Sequence, residues 1–147
     1  MNSTHHQILI VILLLGLGCD SEAKKDPAVS ALADELLRIR LTLERHKAGN
    51  KTDLATFEKQ VREVSFQYER ARRVVGDSSK VPELVVASKA LPHLEAARFE
   101  WNGLEVMKKP TPKATGDMAA LEQKAINHAD QERQKCINAA ITALSAL

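Results

Sequence analysis

The chain has 147 residues, of which 44% are hydrophobic, 27% charged and only 3% aromatic, and its formal net charge at pH 7 is +2. This length and composition suit one globular domain. The scarcity of aromatic residues disfavours an aromatic-rich ligand pocket or a base-stacking surface, and acidic and basic residues alternate without a basic stripe long enough for nucleic acid. We therefore predict no nucleic-acid partner.

The chain begins with an apolar leader. Residues 1–18 contain no acidic residue, no lysine and no arginine, and residues 8–15 are an unbroken apolar run. A helix that spans a bilayer needs about 20 apolar residues, so this run is too short for a secure transmembrane anchor. Its length is that of the hydrophobic region of a signal peptide.

The residues Gly16-Leu17-Gly18-Cys19 at the end of the leader resemble the lipobox of a bacterial lipoprotein signal peptide, where a small residue precedes an obligatory cysteine. This resemblance covers about the first 20 residues. It implies that the thiol of Cys19 receives diacylglycerol and that the chain is cut between Gly18 and Cys19. Cysteine suits this step because a thiolate attacks far more readily than an alkoxide. The alternatives are an ordinary secretory signal and a retained N-terminal helix.

The resemblance also predicts where the protein lies. A lipid on Cys19 would hold it in the bacterial cell envelope, facing the periplasm or the cell exterior, and Asp20 resembles the inner-membrane retention signal of enteric-type bacteria. Residues 19–26 form a tether, of which residues 20–26 are polar and reach at most about 25 Å. The domain that follows, residues 27–147, is therefore expected close to the membrane surface.

Two amphipathic helices open this domain. Asp26 caps the first, which begins at Pro27 and ends at Gly49-Asn50, and the second spans residues 52–75 with Thr52 as its cap. In both, apolar residues recur at spacings of three and four, which is typical of a helix that buries one stripe. The stripes are Val29, Leu32, Leu36, Ile39 and Leu43, and Leu54, Phe57, Val61, Val64, Tyr68, Ala71 and Val75.

Two further helices follow after turns. Pro82 begins the third, and Pro92 predicts a kink or break within residues 88–92, because proline removes a backbone donor and crowds the preceding turn. After a loop at residues 108–116, Asp117 caps the last helix, whose burial we expect to be poorest around Glu132 and Arg133. The predicted stripes are Leu84, Ala87, Leu91, Leu94, Ala97, Trp101 and Leu104, and Met118, Leu121, Ala125, Ala129, Cys136, Ala140, Leu144 and Leu147, with Ile126, Ile137 and Ile141 widening the last.

Four helices joined by short connections predict an all-α fold, an antiparallel up-down four-helix bundle with a proline-kinked third helix. No period of about 34 residues recurs, which argues against a helical-repeat solenoid. The predicted organisation is a signal peptide at residues 1–18, a tether at residues 19–26 and the bundle at residues 27–147.

Motifs that carry chemistry are missing from the sequence. It contains no Glu-x-x-His for a di-iron site, no Cys-x-x-Cys-His for attached haem, no phosphate-binding glycine loop and no serine nucleophile elbow. We therefore predict no enzyme activity, no cofactor and no metal site. Two alternatives remain: a haem held by His93 or His128 with Met107 or Met118, and a small-ligand pocket beside His93 at the Pro92 kink.

Several other side chains have a structural and a functional interpretation. Cys136 is expected to pack in the core, and His46 to be a hydrogen-bonded histidine at the bundle boundary. Phe66 lies off the stripe of the second helix and either packs, or is tolerated at the surface, or anchors a partner. Its neighbours Arg70, Arg72 and Arg73 suit the negative end of that helix, with an acidic partner or lipid as the functional alternative.

The function predicted from these features is that of a membrane-anchored envelope lipoprotein whose helical bundle binds another envelope protein as an adaptor, pilot or inhibitor. The first alternative is a homo-oligomeric, coiled-coil-like structural protein of the envelope, because the heptad stripes of the first two helices could pair between chains. The second is a carrier of a small ligand or metal.

Overall fold

The computed structural model describes residues 25–109 and 116–147. Within these ranges the chain forms four α-helices and one short 3₁₀ turn, Ser78–Lys80, and contains no β-strand. The all-α prediction is confirmed. The helices are α1 Pro27–Lys47, α2 Leu54–Val74, α3 Pro82–Met107 and α4 Asp117–Leu144.

The helix ends follow local chemistry, with two corrections to the predicted caps. The carboxylate of Asp26 accepts a hydrogen bond from the Ala28 backbone N–H at 2.8 Å, as predicted. The prediction that Thr52 caps α2 is wrong, because Asp53 occupies that position and accepts from the Thr56 N–H at 2.8 Å. Asp117 is likewise the first residue of α4 rather than its cap, which is Gly116 at φ 65°.

Contacts between neighbouring helices join the late part of one helix to the early part of the other. Gln60 Nε2, early in α2, donates to Thr42 Oγ1, late in α1, at 3.0 Å. Asn102 Nδ2, late in α3, donates to Glu58 Oε1 of α2 at 2.6 Å. Helix α4 packs mainly against α3, and also against α1. This is the contact pattern expected of the predicted up-down arrangement.

The core is built from the predicted stripes of α1, α2 and α3. All five predicted positions of α1 are buried, as are six of the seven in α3, and Leu91 of α3 is half-buried. In α2, Leu54, Tyr68 and Val75 are half-buried at the edges and the other four stripe residues are buried. The largest side chains with almost no exposed surface are Phe57, Leu32, Leu36, Ile39, Leu43, Leu84, Leu94, Leu104, Ile137 and Leu144.

Helix α3 is continuous through Pro92, so no break occurs between residues 88 and 92. Pro92 lies on the exposed side of the helix, where a missing backbone donor leaves no buried carbonyl stranded. The kink remains a prediction.

Helix α4 departs most from its predicted stripe. Met118, Leu121 and Ala125 are exposed, as is Leu147, and the buried positions of this helix begin only at Ala129. The reason is length, because α4 has 28 residues whereas α1 and α2 have 21 each. At 1.5 Å per residue, the seven extra residues make α4 about 10 Å, or two turns, longer than α1 or α2, and Met118 and Leu121 lie in its first two turns.

The prediction of poorest burial around Glu132 and Arg133 is also wrong, because Arg133 is buried. Its guanidinium carbon lies 4.9 Å from the centre of the Trp101 ring. An arginine can enter a core in this way because its aliphatic stem and planar head both pack against an aromatic face.

Candidate functional surfaces

The one predicted modification site, Cys19, lies outside the described residues, together with all of residues 1–18. Of the predicted tether, Lys25 and Asp26 are described. No helix in the described part of the chain combines the length and the apolar character needed to cross a membrane.

The end of the tether is fixed to the bundle by an ion pair. Lys25 Nζ contacts Glu83 Oε1 at 2.5 Å, and the Glu83 side chain is only 7% exposed. Burial opposes the charged form of Glu83, but the hydrogen bond from Lys25, a backbone hydrogen bond and the lysine charge outweigh burial and lower the pKa of the carboxyl. The chain therefore enters the bundle where α1 and α3 both begin.

An aromatic and cationic cluster lies at the opposite end of α1. The ring centroids of His46 and Trp101 are 4.7 Å apart, and those of Phe57 and Trp101 are 5.4 Å apart. Arg133 covers the Trp101 ring and pairs with Asp130 at 2.5 Å. This cluster joins all four helices at one level, so its first role is to close the core.

His46 differs from the hydrogen-bonded histidine predicted for this position. Its Nδ1 is buried and has no hydrogen-bond partner within the described residues, and the same holds for Arg133 Nε. Burial lowers the pKa of His46, and the positive charge of Arg133 lowers it further. The neutral imidazole is thereby favoured, because protonation would place two cations beside one tryptophan.

A groove runs beside Pro92, where the sequence predicted a pocket. It has a volume of about 310 Å³, lies between α2 and α3, and is open to solvent. His93 is exposed and does not line it, so the predicted association of a pocket with His93 is wrong. Its lining residues are Ser65, Tyr68, Glu69, Ser88, Leu91, Pro92 and Glu95.

The residues of the alternative carrier function lie apart from the buried interior. His93, His128, Met107 and Met118 are all exposed. Across residues 25–109 and 116–147, no three His, Cys, Asp or Glu side chains converge closely enough to hold a metal ion. Cys136 packs against the core as predicted, and burial raises the pKa of its thiol, followed by the charges of Glu100 and Glu132.

The first turns of α4 and the end of α3 form an apolar surface. Met118 is 60% exposed and Leu121 62% exposed, and the two lie on one face of α4 with Ala125. Val106 and Met107 at the end of α3 are also exposed, and an open groove of about 240 Å³ separates them from α4. We call these five residues the apolar end. The sequence pattern predicts Met118 and Leu121 as core residues and therefore does not reveal this surface. The extra length of α4 relative to the first two helices is the feature that could have indicated it.

A second unusual surface is the solvent side of α2. Phe66 is 61% exposed and lies among Lys59, Arg62, Arg70 and Arg73, which are all exposed. The structure thus excludes packing of Phe66 in the core. The remaining readings of this residue are tolerance at the surface and contact with a partner.

Comparisons of the chain with protein-family models, with curated proteins and with solved structures found no match. The surfaces just described and the sequence of the leader are the features of this chain that bear on its function.

Proposed function

We propose that this chain is an envelope lipoprotein, anchored by lipid on Cys19, whose bundle is a non-catalytic module that binds a helix of another envelope protein. The observation that carries the proposal is the apolar end, where large apolar side chains remain exposed on a helix that extends beyond its neighbours. Exposed apolar surface of this kind is characteristic of protein interaction sites.

The position of the apolar end supports a partner away from the anchor. The ion pair between Lys25 and Glu83 fixes the tether where α1 and α3 begin, whereas α3 ends and α4 begins at the opposite end of the bundle. Helix α4 alone is about 42 Å long. In an anchored chain that stands upright on its tether, the apolar end projects away from the membrane and is open to a protein in the envelope.

The spacing of the exposed residues indicates the kind of partner. Met118, Leu121 and Ala125 follow at intervals of three and four, the pattern by which one helix packs along another. Burying a methionine or leucine side chain completely contributes about 1.5–3 kcal/mol, so two such anchors can dominate a small interface. The proposed partner segment is an amphipathic helix.

The binding part of the proposal is tested by capture from solubilised envelopes. The bait is the full chain, the test variant is Leu121→Glu, and the matched control is Gln131→Glu, which adds the same charge at another exposed position of α4. We expect a protein retained by the wild type and the control to be lost from Leu121→Glu. Equal retention by all three baits would refute binding through the apolar end.

The anchoring part is tested separately by replacing Cys19 with serine. A serine hydroxyl cannot replace the thiol in lipid attachment, so the variant is expected to leave the membrane fraction. Unchanged membrane fractionation of Cys19→Ser would refute lipidation and would leave the binding proposal intact.

In this structure a homo-oligomer would have to form through a different surface from the one that the sequence suggested. The stripes of α1 and α2 that suggested pairing between chains are largely buried within one chain, as Leu36 and Val61 illustrate. A second copy would instead dock at the apolar end, where the exposed stripe of α4 also fits a like helix. Sedimentation of the chain from residue 20 onward distinguishes the partner-binding module from the homo-oligomer. A monomer would exclude the homo-oligomer, whereas a dimer that dissociates in Leu121→Glu would favour it.

A further inference from the structure

The solvent side of α2 carries a row of basic side chains with one phenylalanine at its centre. Lys59, Arg62, Phe66, Arg70 and Arg73 follow at spacings of three or four, and all five are exposed. Because an α-helix has 3.6 residues per turn, they share one face, which points away from the buried stripe of α2 and extends over about 21 Å. We call these five residues the basic row.

The positive charges of the basic row are poorly neutralised. Within the ranges that the structure describes, no carboxylate oxygen lies within 4.0 Å of a side-chain nitrogen of Lys59, Arg70 or Arg73. Arg62 is 3.9 Å from Glu58 of the same helix, a long and solvent-exposed pair. Three of the four cations of the row are therefore free of ion pairs within the described residues and can pair with carboxylates of a partner.

Phe66 gives this charged face an apolar centre. Its ring is 61% exposed, with Arg62 one turn before it and Arg70 one turn after it. A partner that covers Phe66 removes its ring from water and at the same time brings acidic groups within reach of both arginines. Aromatic residues, phenylalanine included, and arginine are enriched in protein interfaces relative to the rest of the surface.

We propose that the basic row binds an acidic helical segment of a partner protein, with carboxylates at intervals of three or four opposite the basic side chains and an apolar position opposite Phe66. The arginines recognise carboxylates by two-pronged, charge-assisted hydrogen bonds. Burial of Phe66 fixes the register of the two helices.

The width of the row favours a rod-like partner over a membrane surface. Glu63 and Glu69 lie three residues before and after Phe66, about 60° to either side of it on the helix. A flat anionic bilayer would meet these carboxylates as well as the row, whereas the carboxylates of a single helix, about 10 Å wide, can lie along the centre of the row.

A second copy of this chain does not supply the complement. On the described helices, no face presents exposed acidic residues at a matching three-four spacing. The occupant is therefore an acidic segment of a different protein.

This inference goes beyond the proposed function, because it assigns a second surface with a different partner chemistry. The two are independent experimentally. Loss of binding at the basic row leaves capture through Leu121 unaffected, and failure of that capture leaves direct binding at the basic row intact.

The test uses a defined probe with the full chain held in neutral phosphatidylcholine nanodiscs. The probe is a fluorescent, alanine-based helical peptide of about 20 residues, long enough to be partly helical alone, with glutamates at every third or fourth position of one face and a central leucine pair. The control peptide carries lysine in place of each glutamate. We expect anisotropy to show binding of the acidic peptide alone, with an affinity that falls as salt is raised.

Matched variants locate the binding. The double variant Arg62→Glu, Arg70→Glu is expected to weaken binding at least about tenfold, and Phe66→Ala about fivefold. The double variant Lys89→Glu, Lys124→Glu makes the same change of net charge at exposed positions of α3 and α4, and is expected to bind within about twofold of the wild type.

A double variant with milder substitutions keeps the test decisive if charge reversal disturbs folding. Arg62→Gln, Arg70→Gln removes the charges without reversing them and should weaken binding about threefold while the helical circular dichroism is unchanged. Unchanged affinity in this folded variant, or no binding of the acidic peptide to the wild type, overturns the proposal. Binding to phosphatidylglycerol vesicles through Arg62 and Arg70 without binding to the peptide overturns it in favour of a lipid surface.

Discussion

Two leucines of α4 that belong to the same predicted stripe should differ strongly in how much their truncation to alanine destabilises the fold. Leu121 and Leu144 both belong to the predicted apolar stripe of this helix, yet Leu144 has no exposed surface and Leu121 is 62% exposed. We predict that Leu144→Ala destabilises the fold strongly, and that Leu121→Ala leaves stability almost unchanged.

The magnitudes follow from burial. Replacing leucine by alanine removes three carbon atoms, worth about 0.8 kcal/mol each when buried, and leaves a cavity that adds to the loss. For Leu144 this gives about 3 kcal/mol, or a midpoint of thermal unfolding lower by about 10 °C. For Leu121 the solvent already covers most of the side chain and alanine is the better helix former, so the change stays within about 0.5 kcal/mol.

The assay is urea unfolding of the chain from residue 20 onward, followed by circular dichroism at the helical minimum, for the wild type and both variants. This region contains every residue of the hydrophobic core described above. Equal destabilisation by the two substitutions would refute the reasoning, because it would mean that the first turns of α4 are packed in a core. It would also remove the apolar end as a binding surface.

The remaining predictions concern pH and backbone conformation. Burial and Arg133 hold the folded-state pKa of His46 below its ordinary value of 6.5, so the unfolded chain takes up the proton first. Stability that is present above pH 6.5 should therefore fall as the pH is lowered through the folded-state pKa. This fall should be smaller in His46→Phe but unchanged in His93→Gln, a change at an exposed histidine. Parallel curves of stability against pH for the wild type and both variants would contradict the prediction. Gly49 has φ +89° with open space around it, so Gly49→Ala should cost about 1 kcal/mol through backbone strain alone. Gly76 has no such φ, so Gly76→Ala should leave the free energy of unfolding unchanged or raise it slightly. Equal losses of stability in the two variants would show that backbone strain is not the cause.

Periodicity was sufficient to predict the core of the first three helices. The spacing of three and four in α1 marks residues such as Leu32 and Leu43 that no solvent reaches, or almost none. This success has a physical reason, because a helix flanked on both sides by others of similar length buries its stripe along its whole length. The predicted cap at Asp26 was also confirmed, since it depends only on its immediate neighbours, and Gly49, where the first helix was predicted to end, has a positive φ.

The same periodicity failed at the start of α4. A stripe shows that a helix has an apolar face, but not whether another helix lies opposite it. Met118 and Leu121 continue the pattern of Leu144, and only the lengths of the other helices decide that they are exposed. The prediction for Arg133 was wrong for a related reason. Its burial depends on contact with Trp101 of another helix, which the residues next to Arg133 in the sequence do not indicate.

The candidate surfaces were only partly visible in the sequence. The sequence places Phe66 off the apolar stripe of α2, and gives the nearby arginines an acidic partner or lipid as their functional alternative. The exposure of Phe66, and of the row that it forms with Lys59 and the arginines, is established by the structure. The prediction that Cys19 carries a lipid comes, by contrast, from the sequence of the leader alone.

The most direct test of the proposed binding module is site-specific photo-crosslinking in the cells that produce the protein. A photoreactive phenylalanine at Leu121 of the otherwise intact chain reports what touches the apolar end, and the same residue at Gln131 serves as the control. We predict an adduct with a different envelope protein from position 121 and not from position 131. No adduct at position 121, or adducts of equal yield at both positions, would contradict the proposal, and an adduct of twice the chain mass would replace it by the homo-oligomer.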